Sequence, residues 1–76
     1  MDKQEYIARI NQAFLEGESG KIYRCIIEEA EKILIEKALE RSSGNQILAA
    51  KILGINRNTL RTKIKKLNIQ VGRFKV

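Results

Sequence analysis

The sequence has no proline, no histidine and no tryptophan, and it has a single cysteine, Cys25. One cysteine without any histidine cannot form an internal disulfide or a standard zinc site, so we predict no metal site and no cofactor. A glycine-rich phosphate loop is also absent, and the acidic side chains lie in helices that we assign to packing. We therefore predict no catalytic residues and no enzyme.

Long apolar runs are missing as well. No run approaches the roughly 18 to 20 residues that a bilayer-spanning helix needs. The first residues, MDKQEY, lack the apolar core of a signal peptide. We expect a cytoplasmic protein without a membrane partner. A basic membrane-surface helix near the C-terminus is an alternative, although that helix contains no aromatic residue.

The composition that remains is typical of one small helical domain. The 76 residues are 43% hydrophobic and 32% charged, with no low-complexity run. A chain of this length has room for one domain with a core of limited size. We predict a single all-α domain over residues 1–76.

Acidic side chains are absent from the second part of the chain. Residues 1–40 hold six basic and nine acidic side chains, a net charge of −3, whereas residues 41–76 hold nine basic and no acidic ones, a net charge of +9. Solvated surfaces normally mix both signs. Because carboxylates would repel phosphates, their exclusion indicates a polyanion as the partner of the second part.

The first part of the chain reads as two helices. Asp2 and Glu5 are spaced as in a capping box, so the first helix is expected to start near Lys3. Two glycines in the stretch GESG end this helix. Ser19 is the expected cap of a second helix, which starts at about the next residue and runs to about Arg41.

The second helix is apolar over a wider arc than its neighbours in one chain can cover. We therefore predict that about residues 1–42 are dimerisation helices, with the first two helices packed against their twins in a two-fold homodimer. The alternative is that the second helix is the central rod of a three- or four-helix monomer. The predicted dimer-interface residues are Ile7, Ile10, Phe14, Ile22, Ile26 and Ile33.

Residues 44–67 have the spacing of a helix-turn-helix. Gly54 can adopt the positive φ of a sharp helix exit, and Ala50 is small where a second helix must cross closely. Leu60 and Ile64, one turn apart, place the apolar stripe of the last helix on the helix before it. The predicted elements are a third helix over about 46–53, a fourth over about 57–67, and a tail, 68–76, that frays.

Asn45 and Asn56 are the expected N-caps of the third and fourth helices. Polar residues at these helix ends also predict DNA contacts. The N-terminal turn of a recognition helix enters the major groove, where Arg and Asn can read base edges, while hydroxyls and lysines suit phosphates. The electropositive N-terminus of the third helix can also meet a phosphate. We predict double-stranded DNA as the partner, bound as an inverted repeat. The predicted DNA-binding residues are Asn45, Asn56, Arg57, Asn58, Thr59, Arg61, Thr62, Lys63, Lys65 and Lys66.

The run GNQILAAKILGINRNTLRTKIKKL, residues 44–67, resembles the helix-turn-helix of the Fis (factor for inversion stimulation) family. This type is found in Fis and at the C-terminus of NtrC-family activators of sigma-54 RNA polymerase. The resemblance implies a four-helix fold, dimerisation through the first two helices and binding to bent DNA. It places the DNA-contacting positions of the family on Asn45, Asn56, Arg57, Thr59 and Arg61.

The sequence departs from Fis at two positions and at its start. Ile47 stands where Fis has a hydroxyl residue and Thr62 where Fis has a lysine, so we expect different phosphate contacts and a different specificity. The first helix begins almost at Met1, which leaves no room for the N-terminal arm of Fis. This favours the enhancer-binding domain of a sigma-54-dependent activator. The resemblance implies two further partners, an ATPase domain outside this chain and sigma-54 RNA polymerase. It also implies that the protein is located at the nucleoid.

Two other functions fit the same residues. One is a Fis-like architectural protein that bends DNA. The other is a helical protein-interaction module whose basic end meets an acidic partner. Salt dependence separates DNA binding from protein docking, because the affinity of a phosphate binder falls steeply as salt rises.

Overall fold

The first helix begins where the capping pattern predicts. The computed structural model describes residues 2–76, and in it α1 spans Lys3–Glu16. The carboxylate of Asp2 accepts a hydrogen bond of 2.9 Å from the backbone N–H of Glu5. This bond satisfies one of the donors that the first turn of a helix leaves unpaired.

The second helix, α2, spans the 20 residues Ile22–Arg41 and starts slightly later than expected. Gly20 has φ +89°, in the left-handed region, so a right-handed helix cannot include it. The predicted cap at Ser19 is wrong, because Lys21 occupies the cap position and no side chain caps this helix. A turn closed by the Lys21 N–H on the Glu18 carbonyl, at 3.1 Å, lies between α1 and α2.

The helix-turn-helix forms as the spacing predicts. α3 spans Gln46–Leu53 and α4 spans Arg57–Lys66, one residue shorter than expected. Gly54 ends α3 in the left-handed conformation with φ +74°. The N–H of Ile55 then donates to the carbonyl of Ala50 at 3.0 Å, which closes the tight turn between the two helices.

The tail does not fray, so that expectation is wrong. Asn68 has φ +57° and ends α4 with a left-handed turn, after which the N–H of Ile69 donates to the Ile64 carbonyl at 3.0 Å. Ile69 is buried in the core, and a 3-10 helix, Val71–Phe74, follows it. The tail ends against the turn between α2 and α3, where a Cβ on Gly44 would lie 2.6 Å from the Cγ of Lys75.

The core lies in one part of the molecule. It is formed by the C-terminal part of α2, the helix-turn-helix and the tail, with Leu39 and Leu60 fully buried at its centre. In α1, by contrast, Ala13 is the one buried side chain among the described residues. The described helices confirm the predicted all-α class. None of them is both long enough and apolar enough to cross a membrane. The core residues are Ile35, Ala38, Leu39, Ala49, Ala50, Leu60, Ile64 and Ile69.

Candidate nucleic-acid interface

The helix-turn-helix presents two capped helix N-termini. The side-chain oxygen of Asn45 accepts the backbone N–H of Leu48 at 3.1 Å at the start of α3. The side-chain oxygen of Asn56 accepts the backbone N–H of Asn58 at 2.7 Å at the start of α4. Both predicted caps are therefore confirmed. Each asparagine uses its oxygen in the cap, so the remaining polar group of the side chain is the NH₂ donor.

The outward face of α4 is polar and open to solvent. Leu60 and Ile64 anchor the opposite face of this helix in the core. Four exposed side chains therefore point away from the protein and line one shallow depression: Asn58, Arg61, Thr62 and Lys65. Arg57 and Thr59, also exposed, lie at its N-terminal end on either side of Asn58. The structure thus brings four of the predicted residues together on one helical surface, with Arg57 and Thr59 exposed on its two flanks.

Thr62 differs from its neighbours in its hydrogen bonding. Its hydroxyl donates to the backbone carbonyl of Asn58 at 3.0 Å, four residues earlier on α4. Because a hydroxyl has one hydrogen, the same group cannot donate to a phosphate while this bond persists. A DNA contact by Thr62 remains a prediction, and it requires the hydroxyl to rotate.

Two of the predicted lysines turn back toward α2. Lys63 is half-buried, and its ammonium forms an ion pair with the Glu31 carboxylate. The ammonium of Lys66 is 3.9 Å from the Glu28 carboxylate, at the outer limit of an ion pair. Lys65, between them in sequence, faces solvent and has no ion-pair partner within residues 2–76. The three lysines are therefore not equivalent, although their sequence gave no reason to separate them.

Of the two carboxylates near α4, that of Glu28 is stabilised in its ionised form. The pKa of Glu28 lies below its ordinary value, first because the Arg24 guanidinium donates a hydrogen bond to it and second because both Arg24 and Lys66 are positively charged. Glu28 is thus shared between two cations. Glu31 is paired with Lys63 alone among the described residues.

A second surface, on α1 and the N-terminal part of α2, is apolar and uncovered. We call it the open face, and its side chains are Tyr6, Ile7, Ile10, Phe14, Tyr23, Ile27, Ile33 and Leu34. Phe14 is 67% exposed and Tyr23 is 79% exposed, values unusual for aromatic side chains. Ile22 and Ile26 are half-buried and line a groove between α1 and α2 that opens onto this face. Four of the six predicted interface residues, Ile10, Phe14, Ile22 and Ile26, therefore line one groove. Ile7 is exposed outside it, and Ile33 is exposed beside a different depression near the tail.

The sequence-based interface omitted four residues of the open face, one of them Tyr6 on α1. Tyr23, Ile27 and Leu34 are exposed on α2 and recur at helical spacing. That spacing was the available signal, but the same helix also carries core residues such as Ile35 and Leu39. Sequence alone could not divide one broad apolar arc into a buried side and an open side.

One ion pair fastens α1 to α2 beside this surface. The guanidinium of Arg9 donates two hydrogen bonds to the Glu29 carboxylate, one of them from Nε to Oε1 at 2.8 Å. The hydrogen bond from Arg9 and its positive charge hold the pKa of Glu29 below its ordinary value, although partial burial opposes the shift. Within residues 2–76, no cluster of three or more cysteine, aspartate or glutamate side chains is arranged to hold a metal ion.

Comparison with known proteins decides the family. The family described as "Bacterial regulatory protein, Fis family" matches residues 26–67, more than half of the chain. The chain belongs to the Fis family. The resemblance noted over residues 44–67 is thereby confirmed. The match of this Fis-family chain starts within α2 and ends after α4, so it covers every core residue except Ile69 and includes neither α1 nor the tail.

Named relatives of this Fis-family chain fall into two groups. The DNA-binding transcriptional regulator NtrC of Azospirillum brasilense is 51% identical over 55 residues, which are 72% of this chain and 11% of that protein. NtrC of Bradyrhizobium sp. is 54% identical over 52 residues, 68% of this chain and again 11% of the relative. The DNA-binding protein Fis of Vibrio atlanticus is 36% identical over 63 residues, 83% of this chain and 60% of that protein.

The chain thus spans about a tenth of the length of its NtrC relatives and less than two thirds of the Vibrio Fis. No solved structure gives a significant match.

Proposed function

We propose that this chain binds double-stranded DNA through α4 and serves as the DNA-binding part of a transcriptional regulator. The observation that carries the proposal is the outward face of α4, where Asn58, Arg61 and Lys65 stand together in solvent. No acidic side chain occurs after Glu40 to repel phosphates there. The names of the NtrC and Fis relatives, which describe them as DNA-binding, support the same function.

The proposed division of labour follows from position on the helix. Arg57, Asn58 and Arg61 lie on the first turns of α4, which enter the major groove, and their side chains can form forked hydrogen bonds with guanine or adenine. Thr59 and Lys65 serve as phosphate ligands, because a hydroxyl or an ammonium can bind any phosphate regardless of sequence. Asn45 places the N-terminus of α3 against the backbone in the same way.

We propose that two copies associate through the open face. An apolar surface with exposed aromatic side chains is a recurrent mark of a protein interface. In a two-fold dimer the two recognition helices serve an inverted repeat, with half-sites about 34 Å apart on straight B-DNA. If they lie closer, the duplex bends, at a cost of about 1 to 6 kcal/mol. Symmetric footprints of two half-sites are expected, and a footprint of one half-site at saturation would contradict the dimer.

In this proposal each part of the domain has a task. Residues from about 1–42 dimerise, residues 44–67 bind DNA, and the tail, 68–76, braces the helix-turn-helix. The regulator works where the bacterial chromosome is, in the cytoplasm at the nucleoid. DNA binding needs no cofactor and no catalytic group.

The proposed wider setting is a sigma-54-dependent activator. The supporting observation is that two NtrC proteins are 51% and 54% identical to this chain, which matches 11% of each. An ATPase domain outside this chain would then act on sigma-54 RNA polymerase, as the resemblance implies. A chimera tests this: the matching segment of the Azospirillum regulator is replaced by this chain. Activation from promoters that carry this chain's binding site is expected, and a folded, DNA-bound chimera that activates nothing would refute the setting.

A second candidate is a Fis-like protein that bends DNA by itself. It is favoured by the match to the Vibrio Fis, of which the chain covers 60%, a far larger share than of the NtrC relatives. The two candidates differ in discrimination. A regulator of defined promoters binds its site typically 10³ to 10⁷ times more tightly than unrelated DNA, and a much smaller ratio would favour the architectural role.

Titration of duplex DNA at several salt concentrations tests DNA binding itself. The affinity of the unaltered chain is expected to fall steeply with salt. Lys65→Ala should lower the slope of log K against log salt by about 0.9, because one phosphate contact is lost. Lys3→Ala is the control, since Lys3 is also exposed but lies at the start of α1, outside the helix-turn-helix. Absence of binding at low salt would leave the protein-interaction module as the remaining function.

A further inference from the structure

Glu31 is an acidic residue of α2 that forms an ion pair with a lysine of α4. It lies on α2, which otherwise contributes to the core and the open face. Its carboxylate pairs with Lys63, and the two side chains are 26% and 35% exposed. Glu28, one turn earlier, is hydrogen-bonded to Arg24 at 2.7 Å and stands 3.9 Å from Lys66. Among the described residues, Glu31 is therefore the one carboxylate engaged by α4 alone.

The surroundings of the pair make it more than a solvent contact. Glu31 and Lys63 line a small apolar pocket together with Leu34, Leu53 and Ile55. The methylene groups of Lys63 thus rest on apolar side chains while its ammonium reaches the carboxylate. Partial removal of water strengthens the attraction between the two charges relative to an exposed surface pair.

Without this partner, Lys63 would be placed to contact DNA. It lies one turn after Thr59 on the same side of α4, and Thr59 is a proposed phosphate ligand. A lysine side chain is long and flexible, so an unpaired ammonium at this position can extend along the edge of the recognition helix. Each lysine that neutralises a phosphate tightens binding to every DNA sequence alike.

We propose that Glu31 is a specificity-determining residue that holds Lys63 off the DNA backbone. The inference rests on the proposed DNA-binding function. By removing one sequence-independent contact, the carboxylate lowers affinity for non-target DNA and leaves discrimination to the base-reading residues Arg57, Asn58 and Arg61. Glu31 acts through Lys63, so it is a positioning residue and touches no DNA itself.

The main test compares Glu31→Gln with Glu36→Gln. Both glutamates lie on α2 and are partly buried, but Glu36 has no ion pair with α4. The probes are a site selected from a random duplex pool and a scrambled duplex of equal composition. Glu31→Gln should steepen the salt slope on the scrambled duplex by about 0.9, which adds a three- to fourfold change in affinity when salt changes about fourfold. Glu36→Gln, with the same change in net charge, should leave the slope unchanged.

The double variant shows whether Lys63 carries the effect. In the Lys63→Gln background, Glu31→Gln should change the slope no more than Glu36→Gln does. Lys63→Gln alone should leave the slope unchanged, whereas Lys65→Gln should lower it by about 0.9. A purely structural role for Glu31 would alter thermal stability without moving the slope.

The outcomes separate this inference from the function on which it rests. No DNA binding by the unaltered chain at low salt refutes both. Normal binding with equal slopes for Glu31→Gln and Glu36→Gln refutes the role of Glu31 and leaves DNA binding intact. If Glu31→Gln does not fold, the slopes of Lys63→Gln and Lys65→Gln decide, and equal losses at both lysines overturn the proposal.

Discussion

The two parts of the molecule bury their apolar side chains to very different extents. Leu39 and Leu60, at the centre of the core, are completely buried, whereas Phe14 and Tyr23 on the open face are mostly exposed. The two parts have similar apolar content, so hydrophobicity alone does not explain the contrast. The core part closes on itself through α3, α4 and the tail. In the other part, α1 is the one element that packs on the N-terminal part of α2. Apolar surface therefore remains exposed, and a second copy would cover it.

This contrast separates the part that folds within one chain from the part that is proposed to need a second copy. The family match, residues 26–67, contains every residue of the buried core except Ile69. The proposed DNA-binding helix, α4, belongs to this part, so its geometry is set within one chain. In the proposed dimer a second copy covers the open face, so the stability of this part would depend on protein concentration.

The largest effect is expected in the core. Leu60→Ala should lower the free energy of unfolding by about 2 to 5 kcal/mol, because a fully buried leucine leaves a cavity. Leu15→Ala is the matched control on α1, where the side chain is 87% exposed, and should change the free energy by about 0.5 kcal/mol or less. Chemical denaturation in dilute protein measures both. A loss at Leu15 equal to that at Leu60 would break the comparison.

The second effect concerns association through the open face. Ile33→Asp should weaken the dimer by about 2 kcal/mol or more, because a charge would be desolvated at the proposed interface. Ile33 is 49% exposed in one chain, so the variant should stay folded. Sedimentation equilibrium measures the change, with Lys32→Asp beside it as the control. A well-folded, concentration-independent monomer of the unaltered chain would refute the two-fold model, and so would unchanged DNA affinity in a monomeric Ile33→Asp variant.

The third effect is on DNA binding and concerns the exposed face of α4. Arg57→Ala should cost about 1 to 3 kcal/mol on the preferred site and relax discrimination at one base pair in each half-site, because a forked donor distinguishes guanine there. Helical content should not change, since Arg57 is exposed. Competition binding with single-base site variants measures the loss. A uniform loss on all sequences would make Arg57 a phosphate ligand and leave base reading to Asn58 or Arg61.

The smallest effect is a pH dependence of stability where α1 packs on α2. The pKa of Glu29 is lower in the folded chain than its ordinary value of 4.5, chiefly through the hydrogen bond from Arg9. Its contribution to stability is therefore fully present above about pH 4.5 and is lost as the pH falls through the lowered pKa. Hydrogen exchange in α1 should accelerate in that range. Glu29→Gln should remove this part of the pH dependence, whereas the exposed Glu18→Gln should retain it.

The features that sequence predicted well are local ones. The caps at Asp2, Asn45 and Asn56 involve partners two or three residues away, and the exit at Gly54 needs a conformation that glycine adopts easily. Four or five neighbouring residues determine each of these features. The bounds of the helix-turn-helix followed from them.

The features that sequence missed depend on distant contacts. Ile69 enters a core built largely from other elements, so the tail, which has no period of its own, gave no sign that it docks. The pairing of Lys63 with Glu31 joins residues that are 32 positions apart, and Lys63, Lys65 and Lys66 look alike in a linear reading. The cap at Ser19 failed because Gly20 and Lys21 form a turn that delays the start of α2.

The continuity of α2 has a consequence for the spacing of DNA sites. α2 is one uninterrupted helix of 20 residues, about 30 Å long. It carries residues of the open face toward its N-terminal end, and its C-terminal part shares the core with α4. In the proposed dimer this helix fixes both the distance and the relative orientation between the dimer interface and the DNA-binding surface, because no flexible linker separates them. One residue inserted at its middle would turn the two ends against each other by about 100° and shift them by about 1.5 Å. The preferred distance between half-sites is then a property of this single helix.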